Sequence, residues 1–218
     1  MSHPIVMMEA VRTDNAEGSR LTEVELSPDQ ESVLIGTVLG DGSLAMHGHH
    51  ARLHVKHKTA HRALAEFKHE TFSRFTSMAL HAFDQRLGSK QYPCVQFATR
   101  THPVFSAWRR RFYPDGRKQV PEDIADLLTP LATAVWFMDD GSADHTGVTL
   151  QTHSFTLSEV QRLQMALSER FDVEATIREN KGRPIIYVGK HQLPRFVEVV
   201  RPFVLKDLEY KLVPRQNA

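Results

Sequence analysis

Two stretches of the chain repeat one pattern of apolar and polar positions. The first, SPDQESVLIGTVLGDGS, opens with Ser27 and Pro28, runs apolar from Val33 to Leu39 and breaks at Gly40-Asp41-Gly42-Ser43. The second, TPLATAVWFMDDGS, opens with Thr129 and Pro130, runs apolar through Val135-Trp136-Phe137-Met138 and breaks at Asp139-Asp140-Gly141-Ser142. A hydroxyl residue followed by proline marks a helix start, and Gln30 completes a capping box with Ser27. Each stretch is therefore expected to be a helix that is apolar on nearly all sides and ends in an acid. Asp41 and Asp140 lie 99 residues apart and Pro28 and Pro130 lie 102 apart, so the first helix is expected to be about one turn longer.

Behind each acid the period changes from helical to two, the signature of a half-buried strand. Ala51, Leu53 and Val55 alternate with Arg52, His54 and Lys56; Val148, Leu150 and Thr152 alternate with Thr149, Gln151 and His153. An amphipathic helix follows in each copy, with Leu64, Phe67, Thr71 and Phe75 on the apolar stripe of one and Val160, Leu163, Leu167 and Phe171 on that of the other. Thr156 and Glu159 form a capping box for the second. Further strands are expected at YPCVQFATR and, after VEATIRE and the Lys181-Gly182 turn, at RPIIYVGK. A short apolar helix then leads to KQVP at Lys118 and to KLVP at Lys211. Five landmarks in one order indicate a duplication. The chain divides into an N-terminal extension (1–24), a first pseudo-repeat (25–118), a linker (119–127) and a second pseudo-repeat (128–214). Small residues let helices approach closely, so Gly36 and Gly40 with Ala132 and Ala134 are expected to form a seam that brings Asp41 and Asp140 together.

Composition narrows the class. Among 218 residues, 41% are apolar and 24% charged, the proportions of an ordinary soluble domain. One cysteine, Cys94, allows no disulfide within the chain and no cysteine zinc site, which suits a reducing, intracellular compartment. No apolar run approaches the roughly 20 residues of a membrane span, and the first eighteen residues lack a signal-peptide core, so neither insertion nor secretion is expected. The net charge of +1 hides a sorted distribution. Between Gly42 and Ala65 there is no acid, but Arg52, Lys56, Lys58, Arg62 and six histidines; between Arg86 and Lys118 eight lysines and arginines face one acid, Asp115. Such sorting is often only a solvated face, yet it also suits a phosphate polyanion.

A single Asp-Gly is usually a helix-ending turn; its duplication at two apposed helix ends makes a site for a hard, oxygen-loving cation such as Mg²⁺. An EF-hand is excluded by the absence of acids at the third and fifth loop positions. Lys118 and Lys211, at equivalent places, are candidates for stabilising charge on an attacked phosphate. Trp136 and Phe137 are expected in the core. His47, His49 and His50 lack helical zinc spacing and fall in an expected hairpin loop open to DNA contact.

LIGTVLGDGS and TAVWFMDDGS resemble the paired signature helices of the LAGLIDADG homing endonucleases. From Leu26 to Pro214 the chain is similar to the single-chain, two-motif subgroup that contains the omega-intron endonuclease of yeast mitochondria. The resemblance implies a pseudo-twofold α/β (α+β) fold with two signature helices at the central seam and two curved antiparallel sheets forming a DNA-binding saddle. It implies a monomer that cuts both strands of a long double-stranded DNA target and leaves short 3′ overhangs. Asp41 and Asp140 map onto the metal-binding acids, and Lys118 and Lys211 onto the basic residue of each active site. Asp139 stands where a small residue is usual, which implies capping or tuning and not ligation. A two-stranded ribbon fits the major groove. Arg52, His54, Lys56 and Arg100 in the first half, and Gln151, His153, Arg178 and Lys190 in the second, are the candidate base and backbone contacts on polar strand faces; their non-equivalence suits an asymmetric target. The competing readings are an RNA maturase and a cleavage-inactive DNA-binding regulator.

Overall fold

A computed structural model describes residues 24–214. The N-terminal extension and the stretch considered for a signal peptide lie, but for Val24, outside the described residues. Among the described residues, two four-stranded antiparallel sheets and six of seven α-helices follow one another in two matching sets, so the fold is mixed α/β. In the first set, α1 (Pro28–Leu39) leads to β1 (Ser43–His47) and β2 (His50–Lys58), then α2 (Arg62–Thr71), β3 (His81–Leu87), β4 (Lys90–Ala98) and α3 (Pro103–Phe112). A short α4 (Ile124–Leu127) lies in the connection. The second set is α5 (Pro130–Asp140), β5 (Gly141–Ala143), β6 (Val148–Gln151), α6 (Leu157–Phe171), β7 (Thr176–Asn180), β8 (Arg183–Val188) and α7 (Leu193–Val200). Strand order is β1-β2-β4-β3 in one sheet and β5-β6-β8-β7 in the other, so the duplication extends to topology.

The two apolar helices are the centre of the molecule. Ser32 to Leu39 of α1 and Ala132 to Asp139 of α5 are all buried, as continuous apolar character on every side requires. Gly36 explains how closely they pass: a Cβ there would lie 2.3 Å from the Ala132 carbonyl oxygen and 2.7 Å from the Val135 Cβ. Hydroxyls tie the upper ends together. The Thr129 hydroxyl caps α5 by accepting from the Ala132 N–H and donates to the Ser32 hydroxyl at 2.9 Å, which in turn donates to the Pro28 carbonyl. At the lower ends, the Asp139 carboxylate of α5 accepts from the Asp41 N–H just past α1 (3.3 Å). Links at both ends fix the helices side by side with the same polarity, and both acid turns emerge together.

Several expectations change in detail. The helix expected to be a turn longer is longer by one residue, 12 against 11, because α5 remains helical through both acids whereas α1 stops before Gly40. Phe75 lies in a separate 3₁₀ turn after α2, and the linker carries α4, which buries Ile124 and packs on α6. Strand β6 ends at Gln151, so Thr152 and His153 are outside it. The histidine hairpin turns at Gly48, whose φ of 67° is the left-handed conformation that glycine adopts freely. Trp136 and Phe137 are fully buried. Among the described residues no helix is long and apolar enough to cross a membrane.

Candidate active site at the seam

The ends of α1 and α5 have the same backbone plan but different side chains. A Cβ on Gly40 would lie 2.5 Å from the Cβ and Oδ2 of Asp139, so only one of the two equivalent positions has room for a side chain. Asp139 takes that room and is wholly buried, and its two carboxylate oxygens accept from Lys68 Nζ of α2 at 2.6 and 2.7 Å. His57, the penultimate residue of β2 on its buried face, completes a compact group. Its Nε2 is 3.3 Å from Lys68 Nζ and 3.6 Å from Asp139 Oδ1, and its Nδ1 is 3.7 Å from Asp41 Oδ2. Burial, with the Lys68 charge beside it, pushes the His57 imidazole down to about 3, so the ring is neutral near pH 7 and its approaches to the acids are not ion pairs.

Ligand atoms of Asp41, His57 and Asp139 lie within 4.8 Å of one another, a spacing that could hold a metal. Asp139 nevertheless fits a metal poorly, because an ammonium already bonds both of its oxygens. The other pair of acids fits one better. Asp41 and Asp140 line a cavity of about 230 Å³ together with Gly40, Lys118, Gln151 and His153. Burial, then the negative charges of Asp41 and Asp139, push the Asp140 carboxyl up to about 7. Burial and the charge of Asp139 raise Asp41 in the same sense, while its side chain remains half exposed. Two acids raised by burial and by neighbouring carboxylates, in a pocket with carboxylate oxygens and no thiolate, are a donor set for a hard dication, which would offset that crowding of negative charge.

Lys118 and Lys211 meet the same helix ends. Neither α1 nor α5 has a basic residue in its last turn, so the terminal carbonyls need outside donors. Lys118 Nζ donates to the Gly40 carbonyl at 2.8 Å; Lys211 Nζ donates to the carbonyls of Met138 at 2.5 Å and Asp139 at 3.4 Å. Burial lowers both ammonium groups, and the neighbouring aspartates act against it. Lys118 opens onto the cavity with Asp41 and Asp140; Lys211 is outside that lining and counts among the charges acting on His57 and His61. The two lysines thus flank the acids from different sides.

The candidate DNA contacts separate into three groups. Arg52, His54 and Lys56 alternate with buried Ala51, Leu53 and Val55 on β2 and share one open sheet face. Arg178 of β7 is exposed, its guanidinium 3.2 Å from the Tyr187 ring centroid and 3.6 Å from Asp144, beside a cavity that Gln151 also lines. Arg100, His153 and Lys190 are not on strand faces as expected. Arg100 lies beyond the end of β4, where its N–H and guanidinium bond the carbonyls of Phe75 and Arg74; Lys190 is in the turn after β8; and His153 is in the acid-lined cavity, its Nε2 without a partner. In each case the chain turns away from the sheet one or two residues earlier than the alternation suggests.

Two residues of the site escaped the sequence analysis, although the sequence carried a signal for both. Lys68 is four residues from Leu64, on the apolar stripe of α2, and His57 continues the inward series Ala51, Leu53, Val55. A charged or ionisable side chain in a buried register is the mark of a paired group.

A duplicated α/β unit with parallel seam helices ending in opposed acids defines a class of single-chain, pseudo-twofold proteins whose site lies at the junction of two copies of one module. Residues 31–196 match the model of the LAGLIDADG DNA endonuclease family, and the chain belongs to that family. It is 26% identical over 195 residues to the cytochrome b mRNA maturase bI2 of Debaryomyces hansenii, covering 86% of this chain and 74% of the relative. It is also 26% identical to "Probable intron-encoded endonuclease 1" of Wickerhamomyces canadensis, covering 86% and 85%. Among solved structures, the homing endonuclease I-WcaI bound to its DNA recognition sequence superposes with a TM-score of 0.82 at 25% identity, covering 88% of this chain and 89% of that one.

Proposed function

We propose that this protein is a site-specific homing endonuclease that hydrolyses a phosphodiester on each strand of a long, asymmetric DNA duplex, with Mg²⁺ as its metal. The observation that carries the reading is the shared cavity of Asp41, Asp140 and Lys118 at the ends of the two seam helices. Asp41 and Asp140 would hold the divalent cation, which when bound supplies Lewis-acid polarisation of a phosphoryl oxygen and a lowered pKa for water. Lys118, half-buried, and Lys211, buried, both anchored on helix-end carbonyls, hold positive charge against the developing phosphorane on either side of the acids. Arg52, His54 and Lys56 on one sheet and Gln151 and Arg178 on the other offer donors to base edges and phosphates, and their different chemistry favours a target without a palindrome. Binding should weaken steeply with salt.

Selection of cleaved sites from a randomised duplex library with Mg²⁺ tests this. Recovery of one long consensus cut on both strands is the expected result. A second reading, assistance to RNA splicing, is favoured by the maturase name of the Debaryomyces relative. No recovered site from folded protein, together with accelerated splicing of a host intron, would replace the endonuclease reading by that one.

A further inference from the structure

The Lys68, Asp139 and His57 group is buried, charged and directed at one acid only. Lys68 is wholly buried, and a desolvated ammonium is kept in a core only by close partners. Its partners do more than neutralise it. Asp139 Oδ2 accepts from the Asp41 N–H and fixes the backbone that carries the acid. His57 turns Nε2 to the Lys68 ammonium, which cannot accept, so Nε2 must accept and the ring proton resides on Nδ1. That N–H faces Asp41 Oδ2.

The second half has no counterpart. In the sheets, Ser43 pairs with His54 and Ser142 with Thr149, so His57 corresponds to Thr152, whose hydroxyl is committed to the Pro184 carbonyl. Counted from the first residues of the amphipathic helices, Arg62 and Leu157, Lys68 corresponds to Leu163, a buried apolar residue with no charge to place, and Asp139 itself corresponds to Gly40. We propose that Lys68, through Asp139 and His57, is a positioning residue that prearranges Asp41 and not Asp140, so the two acids enter the reaction with unequal preorganisation. The consequence for cleavage rests on the endonuclease reading; the consequence for cation binding does not.

The test uses Mn²⁺ alone as probe, its free concentration followed by electron paramagnetic resonance, on the full chain without DNA. Three variants are compared with the wild type: K68M/D139L, which removes charge and acceptor together; K68M/D139N, which restores an oxygen acceptor for the Asp41 N–H; and H57L, which leaves the buried ion pair intact. The wild type should bind Mn²⁺ and lose it in D41N. K68M/D139L should bind at least about tenfold more weakly at unchanged thermal stability, as loss of a ligand's supporting partner commonly does, and K68M/D139N should recover most of that loss. H57L, the variant to rely on if neither pair folds, should weaken binding about threefold. Wild-type affinity in a folded K68M/D139L or in H57L overturns the inference, as does equal weakness of the Leu and Asn pairs, which would make the group a packing feature. A wild type that binds no Mn²⁺ also overturns it, because Asp41 is then not prearranged. Normal Mn²⁺ behaviour in a protein that cuts no DNA would remove the endonuclease reading and leave this one standing.

Discussion

The C-terminal ends of α1 and α5 are the same structure with different contents. Both helices run side by side into an acid-Gly-Ser turn, and both have their last carbonyls met by a lysine from the end of their own half. Yet one ends in glycine and a half-exposed Asp41, the other in two acids, one sealed against Lys68. The reason is steric. Two parallel helices this close have room for one side chain between positions 40 and 139, and a carboxylate in that place must bring its own cation. Backbone symmetry can therefore be kept through a duplication while charge symmetry cannot.

The acids offer the strongest way to break the comparison. Asp41→Asn and Asp140→Asn should each lower double-strand cleavage on the order of 10³-fold or more, with target binding unchanged or tighter because an amide no longer repels the scissile phosphates. Plasmid cleavage at saturating Mg²⁺ measures the first and a gel-shift titration the second. Cleavage persisting in either variant would remove that acid from the reaction.

The lysines sharpen it. Lys118 shares a cavity with both acids and Lys211 does not, so Lys118→Met and Lys211→Met should each slow one strand's nick by about 10²-fold more than the other's. Nicked circle should build up before linear product, and strand-labelled duplexes should show opposite preferences for the two variants. Equal slowing of both strands by both variants would mean that the flanking positions of the lysines do not divide their work.

The seam itself is the next target. Gly36→Ala places a methyl against the Ala132 carbonyl and the Val135 side chain, where backbone cannot yield, and should cost about 1–3 kcal/mol or more in urea unfolding. A wild-type midpoint would show that the helices separate more readily than their packing indicates.

How far the sequence carried depended on whether a feature was written locally. The helix starts at Ser27 and Thr129, the strand alternation in β2 and the repeat of acid and lysine landmarks are local patterns, and these elements appear where the patterns place them. The ends of elements were not legible, because Arg100, His153 and Lys190 leave the sheets where tertiary packing turns the chain. Nor was the Lys68–Asp139 pair, which joins residues 71 positions apart in different halves. Only the misplaced polarity of Lys68 and His57 on buried registers hinted at it.

The smallest predicted effect concerns how each half holds its amphipathic helix. The first residues of α2 have no side-chain cap, whereas α6 begins at Thr156 with a full capping box and its Glu159 reaches into the connection between the halves. The buried Glu159 carboxylate accepts from the Thr156 N–H (2.7 Å) and hydroxyl (2.6 Å), the Val120 N–H (3.2 Å) and the Arg117 guanidinium (3.1 and 3.2 Å). Burial alone would raise its pKa; Arg117 and the Thr156 and Val120 donors outweigh that and hold it below the usual glutamate value of 4.5. A carboxyl depressed by folding contributes stability above its unfolded pKa and loses it as pH falls through the folded one. Glu159→Gln should therefore lower stability at pH 7 by about 1–2 kcal/mol, a modest figure because Arg117 is half exposed and its share is screened. The gap between variant and wild type should shrink as pH falls below about 4.5, as the wild-type Glu159 is protonated and loses the charge that the variant lacks. Urea unfolding at pH 7 and pH 3 decides it: a gap that is the same at both values would assign the loss to packing of the side chain and not to its charge.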